Sequence, residues 1–202
     1  MLKAEIPFFP FPSLIWWKKV LEHHGAVTGD LNSPFTKMCY YNRYYIATAN
    51  GLELLSLPIE GGRSVSKKFG EVIVSDADPC KIKHWRAIQS AYGSAPYFEH
   101  YALELKTTVL NDEKNLSRYN LQSLSWCAAQ LNIQIVHHSE STDSIEVAMN
   151  RKEAMQKNEF SVYPQIFDDR HPFLPELSIL DLILMEGPAA VSYLKNEIRA
   201  KI

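Results

Sequence analysis

The pair Asn50-Gly51 restricts this chain more than any other feature. It stands between two runs rich in β-formers, YYNRYYIAT and LELLSLPI. Asn-Gly accepts the positive φ angles of a tight turn, so residues 40–59 read as a β-hairpin. Pro58 lacks an N–H and ends the second strand or confines it to an edge. A hairpin alone is marginal in water, so the rest of the chain must cover one of its faces.

That cover is helical. Ser13 is a candidate N-cap for a helix over 13–24, with Gly25 just past its end. Asp78-Pro79 suggests a cap followed by Pro at the first helical position. Ile82, Trp85, Ile88 and Tyr92 then recur at helical spacing up to Gly93. A helix after Pro96 carries Phe98, Tyr101, Ala102, Leu105 and Val109 on one face. Another over 117–131 stacks Leu121, Leu124, Ala128 and Leu131. Ser178 and Asp181 form S-x-x-D ahead of an apolar run, the spacing of a capping box, and Gly187-Pro188 ends that helix. A final amphipathic helix is expected over 189–201, and a surface helix within 142–157. Short strands are expected at 26–28, 71–75 and 133–138. The expected class is α/β, with a mixed α+β arrangement also open. One domain over 1–202 would hold a small mixed sheet, including the hairpin, packed by helices.

Composition excludes several functions. A net charge of -2 without a basic stripe argues against nucleic-acid binding. Cys39, Cys80 and Cys127 are odd in number and widely spaced, without C-x-x-C. That favours a reducing compartment, and so the cytoplasm, over a disulfide framework or a zinc ribbon. The apolar start is broken by Pro and makes a poor signal peptide. The later run 177–185 is far short of the roughly 20 residues of a membrane span. His137 and His138 would face opposite ways on a strand, and no metal box or nucleotide-binding glycine motif occurs. No metal or cofactor is expected.

Three segments together resemble the WbqC-like family of bacteria. They are YNRYYIATANGLELLSLPIEGGR (41–63), KHWRAIQSAYGSAPYFEHY (83–101), and YPQIF (163–167) with LSILDLILMEG (177–187). H-W-R-x-I-x-x-A-Y with P-Y-F behind it is the most specific part. The resemblance implies a link to O-antigen or other surface-glycan biosynthesis. Longer members open with a His-Gln-Pro motif. Here the matching stretch is EIPFFPFPSLIWW, without His or Gln, so this is a short form that has lost the motif.

The candidate site residues follow from polar groups in these segments. Arg43, among aromatics, needs an anionic partner: a ligand phosphate or carboxylate, or an internal acid such as Asp181. Asn42 would face away from it unless the strand ends there. His84, at the border of its helix stripe, can act as general acid or base, or can hydrogen-bond a neighbouring element. Trp85 of the same motif points toward the core and is also a candidate cleft wall. Arg86 and Lys83 could help to hold an anion or could be solvated. Gly61-Gly62-Arg63, followed by Ser64, Ser66, Lys67 and Lys68, is a weak phosphate loop or a plain polar one. Gln165 could bond a sugar hydroxyl or the backbone. Asp181 is a ligand group or caps the Ser178 N–H. Cys127 is a remote candidate nucleophile, because a mid-helix thiol has nothing to lower its pKa. The leading expectation is a transferase-type enzyme acting on an activated, nucleotide-linked sugar, with His84 catalytic and Arg43, Arg63, Trp85, Arg86, Gln165 and Asp181 binding substrate. The alternative is a non-catalytic binding or assembly protein of the same pathway.

Overall fold

A computed structural model describes residues 4–22, 26–27, 31–32, 34–36, 39–61, 67–137, 143–144, 150–157 and 162–199. The hairpin forms where Asn50-Gly51 places it. Strands β3 (Arg43–Thr48) and β4 (Gly51–Ser56) pair antiparallel, with Arg43 opposite Ser56 and Thr48 opposite Gly51. Gly51 has φ +99, which a side chain rarely adopts. Ahead of the hairpin come β1 (Ala4–Glu5), α1 (Leu14–Glu22) and β2 (Ala26–Val27). Behind it come α2 (Cys80–Tyr92), α3 (Phe98–Val109), α4 (Leu116–Gln130), β5 (Val136–His137) and β6 (Asp143–Ser144). The chain then forms α5 (Arg151–Lys157), α6 (Ile179–Glu186) and α7 (Ala190–Arg199). Two further strand pairs are parallel: β1 with β6, and β2 with β5. The fold is mixed α/β.

One apolar cluster runs from Ile6 to Leu194 and touches most elements. The Pro-broken segment before α1 lies in its centre, with Ile6, Phe9 and Phe11 buried. A segment without regular pairing can be buried only if its carbonyls find partners. Side chains from other elements supply them. Asn120 of α4 donates from Nδ2 to both Phe8 O and Tyr41 O at 2.8 Å. Ser178 Oγ donates to Phe11 O at 2.8 Å, and the Ile179 N–H to Pro12 O at 2.9 Å. The N-terminal segment is thereby tied to α4, to the hairpin entry and to the start of α6.

Local signals account for the starts of α4 and α6 and for the end of α6. Asn115 caps α4 by accepting from the Arg118 N–H, and Ser178 caps α6 by accepting from the Leu180 N–H. Gly187 takes φ +52 against the Tyr97 ring, and a Cβ there would sit 2.4 Å from ring carbons. Several expectations need correction. Residues 71–75 do not form a strand. Phe69–Glu71 is a 3-10 turn, and Ile73 and Val74 make isolated bridges to Asn115 and Ile59. Asp78 does not cap α2; Pro79 takes the cap position, and the Asp78 carboxylate pairs with Lys83. The strand expected over 133–138 shortens to Val136–His137, with residue 138 outside the described residues. Within 142–157, Asp143–Ser144 is a strand and only Arg151–Lys157 is helical. Asp181 does not bond the Ser178 N–H, which donates to Tyr45 O at 2.8 Å. Gly25 and the loop residues 62–66, Arg63 among them, lie outside the described residues. Among the described residues, no helix is long and apolar enough to cross a membrane, and no group of three or more His, Cys, Asp or Glu could hold a metal.

Candidate functional site

The hairpin and the start of α2 enclose an open cleft of about 990 Å³. Its polar lining includes Asn42, Arg43, Ser56, Asp78, Lys83 and His84. Leu54, Leu57, Pro58, Ile59 and Phe35 form the apolar wall. Arg43 reaches the cleft because β3 begins at this residue. The preceding Tyr40–Asn42 is a 3-10 turn, so strand alternation does not separate Asn42 from Arg43. Asn42 donates to Leu57 O at 2.7 Å and fastens the end of β4 to the hairpin entry. Lys83 pairs with Asp78 at 2.7 Å near solvent, where such a pair contributes little stability.

His84 is buried, because the inward face of α2 is turned relative to its apolar stripe. Ile82 is exposed, while His84, Trp85, Ile88, Ala91 and Tyr92 face inward. The imidazole can be buried because both nitrogens have partners. Nε2 lies 3.2 Å from Ser56 O, and Nδ1 lies 3.1 Å from the Tyr44 hydroxyl. A carbonyl oxygen only accepts, so Nε2 carries the proton and Nδ1 accepts from Tyr44. Burial lowers the His84 pKa to about 4, against a smaller raising effect from Ser56. The ring is neutral at pH 7.

Trp85 and Arg86 do not line this cleft. Trp85 stacks on Phe98 in the core, with centroids 6.1 Å apart, and Arg86 is exposed. Gln165 and Asp181 are not in the cleft either; they share a buried network. Asp181 accepts from the Tyr92 hydroxyl at 2.9 Å and from Gln165 Nε2 at 3.4 Å, and the Tyr163 hydroxyl also favours its charged form. Burial outweighs these donors and raises its pKa to about 6. Gln165 also bonds Leu174 O at 2.9 Å and the Leu174 N–H at 2.8 Å, so it pins the chain between Tyr163 and α6. Cys127 is fully buried and its thiol is pushed well above its ordinary pKa, so it is no nucleophile. The other two cysteines are buried thiols, also raised by burial.

A second, smaller space adjoins Arg43. This niche of about 10 Å³ has room for about one water. Ser13, Tyr40, Arg43 and Glu176 line it, with Phe9 and Phe11. Glu176 Oε1 accepts from Ser13 Oγ at 2.6 Å and from the Tyr40 hydroxyl at 3.2 Å. Among the described residues no donor meets Oε2 in hydrogen-bonding geometry, although the Ile15 N–H is near enough to the carboxyl to favour its charged form. Burial pushes the Glu176 pKa up to about 7. Glu176 has φ +60 and Phe11 has φ +42. The sequence reading passed over Glu176, and took Ser13 only as a cap. An available signal was an acid set between Leu174, Pro175 and Leu177.

Comparison with known proteins adds a family and little chemistry. The WbqC-like protein family matches residues 10–159. A similar chain is "Uncharacterized protein Rv1507c" of Mycobacterium tuberculosis, 30% identical over 100 residues. That match covers 49% of this chain and 43% of the relative, so less than half of the relative's length is spanned. No solved structure gives a significant match.

Proposed function

This chain belongs to the WbqC-like protein family, and from that membership we propose that it is a group-transfer enzyme of bacterial surface-polysaccharide biosynthesis. Its substrate in this reading is an activated, nucleotide-linked sugar, and its place of action is the cytoplasm. One domain over 1–202 carries the site. The observation behind the proposal is the open cleft whose lining combines Arg43 and Lys83 with the apolar Leu54, Leu57, Pro58 and Ile59. Cations suit a diphosphate, and an apolar wall suits the flat face of a base or sugar. Arg43 holds the phosphate by paired N–H groups. Arg63, which lies outside the described residues, is proposed as a second phosphate-binding cation because it belongs to the family segment 41–63. His84 positions the wall by holding Tyr44 and the Ser56 end of β4. Gln165 and Asp181 support it from behind, through Tyr92, which accepts from the Ala47 N–H of β3 at 3.0 Å.

Titration calorimetry with UDP-glucose, dTDP-glucose and GDP-mannose tests this reading. At least one should bind, and Arg43→Ala should weaken it by about tenfold or more, the loss of one charge-assisted contact. Failure of all three to bind the wild-type protein overturns the proposal. One observation favours the alternative, a non-catalytic binding or assembly protein of the same pathway: both His84 nitrogens are already engaged within the protein. That alternative expects binding without turnover of the sugar.

A further inference from the structure

The niche beside Arg43 carries chemistry that the cleft lacks. His84 has no free nitrogen lone pair to offer. The acids of the cleft itself, Glu53 and Asp78, are exposed, and Asp78 is paired with Lys83. Acid–base work beside Arg43 therefore needs a buried, less committed group. Glu176 is such a group. Its carboxyl is 1% exposed, two hydroxyls fix one oxygen, and the other has no partner in hydrogen-bonding geometry among the described residues. Capping the start of α1 accounts for the Ser13 contact and for the nearby Ile15 N–H, but it leaves the second oxygen without a hydrogen bond of good geometry. The backbone points the same way. Phe11 and Glu176, on the walls of the niche, both hold left-handed φ angles. A bulky residue keeps such a conformation, at roughly 1–3 kcal/mol, only where its surroundings over-determine it, and such positions cluster at functional sites. Arg43 lines both niche and cleft, so an anion held by Arg43 has the niche beside it.

We propose that Glu176 is the proton-accepting catalytic residue of this site, acting on a water seated in the niche. This deepens the nucleotide-sugar reading above and rests on it. In the step, an O–H bond of the water breaks and its proton passes to Glu176 Oε2. The water oxygen forms a bond to the anomeric carbon of the donor. The bond from that carbon to the phosphate oxygen breaks, and its electron pair leaves with the nucleoside diphosphate, whose charge Arg43 offsets. The products are free sugar and nucleoside diphosphate, and Glu176 later releases the proton to solvent. A carboxyl that titrates near neutral pH can both take up and release that proton.

The experiment separates binding from turnover. The wild-type protein, Glu176→Gln and Ser13→Ala are each titrated with UDP-glucose, dTDP-glucose and GDP-mannose. Release of nucleoside diphosphate from the bound donor is then followed with water as the acceptor from pH 5.5 to 8.5. Glu176→Gln should bind within roughly twofold of wild type, because the amide conserves volume. Its hydrolysis should fall about a hundredfold or more, the usual contribution of a general base. The wild-type rate should rise with pH and level off above about 7, as Glu176 ionises. Burial sets this midpoint against the Ser13 and Tyr40 hydroxyls, the Ile15 N–H and Arg151, with Arg43 also lining the niche. Ser13 donates to the charged form, so Ser13→Ala should move the midpoint upward. A merely structural Ser13 would leave it in place. Wild-type hydrolysis in Glu176→Gln, a flat pH profile, or a bound donor left unhydrolysed by wild type overturns the inference and leaves the binding reading standing. Absence of any binding overturns both.

Discussion

Glu176 and Asp181 flank the start of α6, one just ahead of it and one in its first turn. Both are buried acids in an apolar stretch, and burial raises the pKa of both. Their partners differ. Asp181 receives Tyr92 and Gln165 on separate oxygens, with Tyr163 as a further donor, and lies among fully buried leucines. Glu176 receives both its hydroxyl donors on one oxygen and borders a space. A saturated network rigidifies a core, whereas a half-satisfied carboxyl beside a cavity can still accept a proton or a ligand hydroxyl. The same signal in sequence therefore leads to two roles, and the hydrogen-bond count separates them.

The largest effect should come from emptying the saturated side. Asp181→Ala leaves the Tyr92 and Tyr163 hydroxyls short of an acceptor in the core, while Gln165 Nε2 keeps Leu174 O and the Tyr163 oxygen. Each unmade buried bond costs about 1–3 kcal/mol, so the total loss should be about 3–5 kcal/mol in urea denaturation followed by Trp fluorescence. Glu176→Gln, which keeps an acceptor oxygen, should lose far less. Equal losses would break the distinction between the two acids.

Stability against pH tests both acids and His84 together. The folded Glu176 and Asp181 hold protons up to about 7 and about 6, which the unfolded chain releases near pH 4. Their contribution is present below that pH and is lost as pH rises through the folded values. His84 behaves in the opposite sense. Its folded pKa is lowered to about 4, so the unfolded chain takes up the proton first as pH falls below about 6.5. Its contribution is present above that pH and is lost toward pH 4. Between pH 4 and 6 the single His84 slope opposes two acid slopes, so wild-type stability should still fall with pH, at roughly half the rate that the two acids alone would give. His84→Gln should steepen this to a fall on the order of 1–3 kcal/mol from pH 4.5 to 7. Adding Glu176→Gln should reduce that fall and confine it to pH below about 6, where Asp181 still titrates. A flat curve for His84→Gln alone would show that neither acid carries a raised pKa.

How much of this was legible depends on whether the signal is local. The hairpin rests on Asn50-Gly51, and α4 and α6 rest on caps beside their own first turns, so one sequence window contains each cause. The parallel pairs β1 with β6 and β2 with β5 are two residues long and join segments from opposite parts of the chain. No window contains them. The inward turn of His84 in place of Ile82 is also non-local, because Tyr44 and Ser56 provide the polar partners that permit it. The cleft was half legible. Arg43 and His84 were brought together by motif, but Trp85, Gln165 and Asp181 carry the same marks and fill the core. Glu176 was missed because Ser13, Tyr40, Arg43 and Phe11 come from separate stretches. Their meeting depends on Asn120 and Ser178, which bury the Pro-rich segment.

The smallest effect belongs to the tyrosines that serve the two acids. The Tyr92 hydroxyl has two duties: it donates to Asp181 at 2.9 Å and accepts from the buried Ala47 N–H at 3.0 Å. Tyr92→Phe breaks both bonds and should cost about 1–2 kcal/mol, measured by the same denaturation. The Tyr40 hydroxyl makes the longer of two bonds to Glu176 Oε1, and Ser13 at 2.6 Å remains when it is removed. Tyr40→Phe should therefore cost less than about 1 kcal/mol. It should also move the Glu176 titration upward, because a donor to the charged form is gone. If Tyr40→Phe proves as costly as Tyr92→Phe, the Glu176 side is as tightly bound a network as the Asp181 side. The niche would then be core, and the contrast between the two acids would reduce to geometry without chemistry.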